Sequence, residues 1–313
     1  MATTVDIVSS SYSGEFAGKY VSAALLSGNT ISNGLIEVKP NVKFKEVLKR
    51  VEIDGIVADA TCDFNDTSTV TLTERILQPK ELQVNLELCK TPFQSDWEAV
   101  SMGYSAHDNL PKTFSDYFIG QMSAKVAAKT EVDIWSGTAS AGSFDGFATL
   151  LAADAGHTGA NKIVGEAVDA SNVVTNLGTV VDAIPEQLLQ NENLFIYAAN
   201  NVYRAYKRAL GGFAAGGQGA NGYMAQGNNQ NIDVQMFDGI KVVPVNGLAS
   251  NKIIATVKDN LYFGTGLLSD FNECKVIDTA AILGDKNVRF VMRYTAGVQY
   301  SVVEDIVTFG LEL

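Results

Sequence analysis

The sequence predicts an α+β fold, and three observations carry that prediction. Strand-like, period-two patterning dominates the first third, one long amphipathic helix follows, and the last third is rich in strands without regular strand–helix alternation. At 313 residues, 46% of them hydrophobic and 19% charged, the chain can bury the core of one large domain or two intimate ones.

Residues 1–35 are rich in Ser, Thr, Gly and Ala. They read as an arm, with one short helical stretch around Glu15 to Leu26. Phe44, Val47, Leu48 and Val51 stand at helical spacing among charged residues, which allows a short helix there. Asp54-Gly55 offers a turn, and Val70 to Leu77 follows Asn65-Asp66 as an extended run. Leu82, Val84, Leu86 and Leu88 alternate with Gln83, Asn85 and Glu87, the signature of a half-buried strand. A long isolated hairpin is marginal in water, so these arms need a sheet of their own or a neighbouring subunit to cover them.

The long helix is expected over Thr113–Ser136. Thr113 and Asp116 form a capping-box-like start, and Phe114, Phe118, Met122 and Val126 repeat every four residues. Tyr117 and Ala124 widen that stripe, while Gln121, Lys125 and Lys129 lie elsewhere. Its span is roughly 35 Å at 1.5 Å per residue. Ser171 is placed to cap a helix through Ile184, which Pro185 interrupts. Leu194 to Ala198 reads as a strand, and Asn201 opens a helix closed by Gly211-Gly212. The glycine-rich tract 211–231 reads as a long loop. Ile232, Val234 and Met236, the turn Asp238-Gly239, and Ile240 to Val245 form a hairpin with a type I′ turn signal. Strands are also expected at 253–257, 288–292 and 298–303.

Several function classes lose support at this stage. The net charge of −12 disfavours broad electrostatic binding to nucleic acid. There is no signal-peptide pattern and no apolar run of membrane-spanning length, so a cytoplasmic, non-membrane protein is expected. Cys62, Cys89 and Cys274 are scattered and form no CxxC, so neither zinc nor a disulfide framework is indicated. Asn65-Asp66-Thr67 matches a glycosylation acceptor by chance. Gly217 to Gly222 formally fits GxGxxG, but it follows a helix within a glycine tract, where a dinucleotide site needs a preceding strand. The two histidines, His107 and His157, read as solvated loop positions. Asp182, Glu186, Glu304 and Asp305 read as solvated surface, and the basic face Arg204, Lys207 and Arg208 as complementing a helix C-terminus. No catalytic residue, cofactor site or metal site is expected.

The order of elements resembles the major capsid proteins of tailed bacteriophages, with their Hong Kong 97-type fold. The resemblance lies in pattern across nearly the whole chain. It is carried by Thr113–Ser136, Ser143-Phe144-Asp145-Gly146-Phe147, Glu192 to Tyr197 with Asn201 to Arg204, Phe237 to Pro244, and Asn260 to Thr265 with Val288–Thr308. It implies an N-terminal arm (1–35), an extended loop and return strand (36–90), and a peripheral domain (91–142) with a spine helix (about 113–136). An axial domain (143–280) with its glycine-rich loop (about 211–231) and C-terminal strands of the peripheral domain (281–313) complete it. The implied function is structural and non-enzymatic: self-assembly into hexamers and pentamers of an icosahedral head in the host cytoplasm, enclosing double-stranded DNA without reading its sequence. A portal, a separate scaffolding protein and decoration or head-completion proteins are the implied partners. An encapsulin-like compartment shell with the same fold is the alternative, and a non-catalytic binding module a lesser one. Some members of this family crosslink through Lys, Asn and Glu; no residues here match that trio.

Overall fold

The computed structural model describes residues 29–54, 69–91, 112–210, 235–266, 274–279 and 283–311, together with residues 57 and 59. The stretch Glu15 to Leu26, Asp54-Gly55 as a turn, Cys62, the acceptor at Asn65, His107, the glycine tract and the start of the hairpin at 232–234 lie outside them, as do the side chains of Phe114, Tyr117 and Cys274.

The helices are α1 (Asn29–Ser32), α2 (Lys112–Ser136), α3 (Phe147–Ala153), α4 (Val173–Asp182) and α5 (Asn200–Ala209). The strands are β1 (Glu37–Lys39), β2 (Glu46–Asp54), β3 (Thr69–Leu77), β4 (Lys80–Cys89), β5 (Lys162–Ile163), β6 (Leu194–Ala199), β7 (Gln235–Phe237) and β8 (Ile240–Val245). They continue as β9 (Ile253–Val257), β10 (Leu261–Thr265), β11 (Cys274–Asp278), β12 (Asn287–Tyr300) and β13 (Val307–Phe309). Helices and strands intermix without βαβ repetition, so the α+β prediction holds.

The expected helix over Phe44 to Val51 is instead strand β2. Leu48 is buried while Val47 and Val51 are exposed, the alternation of a strand and not the single stripe of a helix. The helical spacing is overridden because β-branched Val47 and Val51 pair across to Ile76 and Leu72, and Lys49 meets Glu74.

Two further sheets form the body. In one, β12 is paired on one edge with β4, and on the other with β11 over its first half and β10 over its second; β1 then joins β10 in parallel. The two strands expected at 288–292 and 298–303 are thus one strand of 14 residues ending at Tyr300. The second sheet has the order β5-β13-β9-β6-β8-β7. Its β7–β8 turn places Asp238 at φ 49° and Gly239 at φ 79°, as the type I′ signal requires. The sheets do not divide the chain sequentially. β10 and β11 lie with β12, and β13 crosses into the six-stranded sheet.

Helix α2 starts at Lys112, so Thr113 lies in its first turn. Met122 and Val126 are buried and Phe118 is half-buried, 5.7 Å from Phe290 between ring centroids. Ala124 is exposed, contrary to expectation. A four-residue step advances 400° around the helix, so the buried face drifts by about 40° per step. It passes from the Met122–Val126 row to Ala127, Thr130 and Ile134. Trp135 closes the helix, fully buried, with its ring 5.5 Å from Phe147 and 5.0 Å from Tyr197.

Helix α4 is not capped by Ser171. The Asp169 carboxylate accepts from the backbone N–H groups of Ser171 and Asn172 and from the Ser171 hydroxyl, an Asx-type turn that uses the serine elsewhere.

Candidate assembly surface

The candidate surface begins with the pleat of β2 and β3. Their register puts Val47, Lys49 and Val51 on the same face as Ile76, Glu74, Leu72 and Val70. That face is apolar except for the Lys49–Glu74 pair at 3.7 Å, and it is open: Val51 is 59% exposed, Leu72 56% and Val70 62%. A two-stranded ribbon with one uncovered apolar face gains little stability alone.

The opposite face anchors the ribbon. Leu48 and Leu77 are buried with Val42, and Tyr262 packs against them. Leu77 sits over Gly264, where an added Cβ would lie 2.9 Å from its Cδ2. Gly297 is the cross-strand partner of Gly264, and there a Cβ would lie 2.8 Å from Pro79 Cα. Two paired glycines therefore open a seat in the β10–β12 surface for the segment leading from β3 to β4. Glycines inside otherwise apolar strands were the available sequence signal for this seat.

Ion pairs complete the root. Lys39 reaches Glu46 at 2.8 Å, Arg50 reaches Glu304 at 2.8 Å, and Arg75 reaches Asp154 at 2.7 Å. Tyr300 donates its hydroxyl to the same Asp154 oxygen at 2.6 Å, and Arg75 stacks over the Tyr300 ring at 4.4 Å. Partial burial pushes the Asp154 carboxyl up. Hydrogen bonds from Tyr300, the Gly156 N–H and Arg75, with the Arg75 charge, outweigh that and hold it down at about 2.

A second apolar surface lies beside the ribbon root. A cleft of about 500 Å³ separates α2 from β4, lined by Leu82, Val84, Leu86, Phe118, Met122 and Val126 among others. The segment before β1 is latched to α2 two residues beyond Lys129, which also lines this cleft. Thr30 donates from its N–H and hydroxyl to the buried Glu131 carboxylate, and Trp135 Nε1 donates to the Thr30 hydroxyl at 2.8 Å. Sequence periodicity gave no hint of buried Glu131 or of buried Asp133, which accepts from Lys129 and from Ser143.

The sequence-predicted polar positions fall as follows. His157 is buried, contrary to expectation, with Nε2 2.7 Å from the Thr308 hydroxyl and Nδ1 without a hydrogen-bond partner. The turn after α3 tucks it under β13, and its burial, followed by the Lys162 charge, lowers its pKa. Asp182 and Glu186 are exposed, as expected. Glu304 is exposed but paired, and Asp305 is half-buried, with burial pushing its carboxyl up. Cys89 is half-buried. Arg204 and Arg208 are exposed, and Lys207 lies 5.3 Å over the Tyr203 ring. Among the described residues no cluster of three or more His, Cys, Asp or Glu is placed to hold a metal ion, and no helix is long and apolar enough to cross a membrane.

No protein-family model matches the chain, and no curated protein matches its sequence. Solved structures do match its shape. The capsid of the empty GTA particle is similar at 14% identity and a TM-score of 0.61, over 96% of this chain and 94% of that one. The capsid of Myoviridae phage XM1 is similar at 11% identity and a TM-score of 0.55, over 97% and 96%. The procapsid of satellite phage P4 gives 8% identity and a TM-score of 0.54, over 92% and 96%. At these identities the likeness is one of fold, and it spans nearly the full length of both partners. The protein has the fold of tailed-phage capsid proteins.

Proposed function

We propose that this protein is a structural, non-enzymatic major capsid protein, which assembles into hexamers and pentamers of an icosahedral head that encloses double-stranded DNA. The observation that carries the reading is the β2–β3 ribbon: anchored at its root by glycine packing and ion pairs, it extends an apolar face that the described residues of its own chain leave uncovered. A neighbouring copy covers that face in the assembled shell, and the cleft between α2 and β4 is an apolar surface of suitable character to receive a ribbon.

In this reading residues 1–35 are the arm, 36–90 the extended loop with its return strand, and α2 the spine helix. The sheet around β12 belongs to the peripheral domain and the six-stranded sheet to the axial domain. β10 and β11 then go with the peripheral part, and β13 with the axial part. The shell forms in the host cytoplasm and resides in the virion, with a portal, a separate scaffolding protein and decoration proteins as partners. An acidic protein suits the enclosure of DNA, because a wall that bound phosphate tightly would hinder packaging and release. The similarity to capsids of phages and of the GTA particle favours this reading over a cargo compartment.

Deleting residues 58–68, within the connection between β2 and β3, tests the role of the ribbon. The variant should remain soluble with wild-type melting and fail to form closed shells. Normal particles from it would contradict the reading.

A further inference from the structure

His157 lies in the loop that braces both strands of the ribbon. The loop runs from Asp154, just after α3, to Lys162 at the start of β5. At its first residue the Asp154 carboxylate accepts from Arg75 of β3 and from Tyr300 of β12. Near its end Asn161 Nδ2 donates to the Glu304 carbonyl oxygen at 2.7 Å, and the Glu304 carboxylate pairs with Arg50 of β2. His157 stands between these two anchors, 2% exposed, and its backbone N–H donates to the Asp154 carbonyl oxygen at 3.1 Å.

The imidazole fits this place only when neutral. Nε2 meets the fully buried Thr308 hydroxyl at 2.7 Å, and buried Nδ1 has no hydrogen-bond partner among the described residues. A neutral ring can leave Nδ1 as an unused acceptor. A protonated ring carries N–H on both nitrogens, so Nδ1 becomes an unsatisfied buried donor beside a buried charge. The surrounding charges do not compensate. Lys162 on β5 opposes the protonated ring, while Asp154, which favours it, is already engaged by Arg75 and Tyr300. Thr308 on β13 is uncharged. On the connection from β12 to β13, Glu304 is paired with Arg50, and Asp305 lies in the field of the same guanidinium. Opening the loop lets the new Nδ1–H reach water.

We infer that protonation of His157 opens the loop 154–162 and so loosens the root of the β2–β3 ribbon, which makes this histidine an acid-sensitive switch on the ribbon's attachment. Opening draws Asp154 away from Arg75 and Asn161 away from Glu304, so each strand of the ribbon loses support from the body. The Asp154 carboxyl is held down at about 2 and stays ionised while the histidine takes up its proton, so the root yields through the loop and not through its own carboxylate. The switch acts within one subunit. It bears on assembly only through the shell reading, which gives the ribbon to a neighbouring copy.

Amide hydrogen exchange of the full-length protein between about pH 7.5 and about pH 5.5, read by mass spectrometry and corrected for the intrinsic pH dependence of exchange, tests this. An opening that takes up one proton grows in population by up to about tenfold for each pH unit below 6.5. Peptides covering β2 and β3 should lose protection on that scale, while β6 and β9 keep theirs. His157→Gln leaves a polar group near Thr308 but accepts no proton, so it should hold the ribbon's protection constant. Lys162→Gln removes the opposing charge and should move the onset to higher pH. Ribbon protection that changes less than about twofold over this range overturns the switch. So does an undiminished loss in folded His157→Gln, or a loss spread evenly over all sheets. Should His157→Gln fail to fold, an onset that does not move in Lys162→Gln overturns it alone. Any of these results leaves the shell reading intact, and a failure to form shells leaves the exchange result standing.

Discussion

Replacing Asp154 with Asn should destabilise the protein by about 2 kcal/mol at neutral pH and by about half of that at pH 3. Asp154 sits where the ribbon meets the body, between Arg75 of β3 and Tyr300 of β12. Its side chain is 17% exposed, so solvent screens these contacts only in part. Its carboxyl falls from the ordinary 3.8 to about 2 in the folded protein. Each pH unit of that shift corresponds to about 1.4 kcal/mol, which gives the figure at pH 7. Because the folded value is the lower one, the unfolded chain takes up the proton first as pH falls. The contribution is therefore complete well above 3.8 and is lost as pH descends toward 2. Urea unfolding of wild type and Asp154→Asn at pH 7 and pH 3 measures both values, and Arg75→Leu should show the same convergence at low pH. A cost below about 0.5 kcal/mol at pH 7, or one that does not shrink by pH 3, would refute the argument that this carboxylate holds the ribbon root.

Other perturbations follow from the same geometry. Phe118→Asp puts a charge against Phe290 in the helix–sheet contact and should abolish folding, read as loss of soluble protein; soluble, normally assembling protein would show that this face is not buried. Gly247→Ala places a Cβ 2.0 Å from the Glu131 carbonyl oxygen and should cost about 3 kcal/mol in thermal or urea unfolding, and an unchanged midpoint would count against the close approach of the β8–β9 connection to α2. His157 is held neutral by burial, so the unfolded chain binds a proton that the folded one refuses once pH drops below 6.5. Stability should fall as pH drops below 6.5, and His157→Gln should flatten that slope; an unaltered slope would mean that another group titrates there.

How much of this was legible in the sequence varies by element. Helix α2, β4, β6 and the β7–β8 hairpin were readable because their patterns are local: a stripe, an alternation or a turn dipeptide. β2 was misread because four apolar residues fit a helical stripe, whereas its true partner lies across an intervening segment in β3. The chain's division between the sheets was also hidden, since β13 joins β9 and β5 through contacts distant in sequence. Of the candidate surface, an extended apolar run at Val70 to Leu77 was readable in advance. Its anchoring was not, because Asp154, Arg75, Glu304 and Arg50 look like ordinary surface charges until the fold pairs them. His157 read as a solvated turn residue for the same reason: Thr308, its partner, is 151 positions away.

The central claim is that the exposed ribbon face exists to be covered by other copies of the same chain. Electron microscopy of the purified full-length protein at rising concentration tests it most directly. Closed shells, or ring-shaped capsomers of five and six copies, are expected, in which each β2–β3 ribbon lies against a neighbouring subunit. A protein that stays monomeric under all of these conditions, or that forms shells with the ribbons free in solvent, would contradict it.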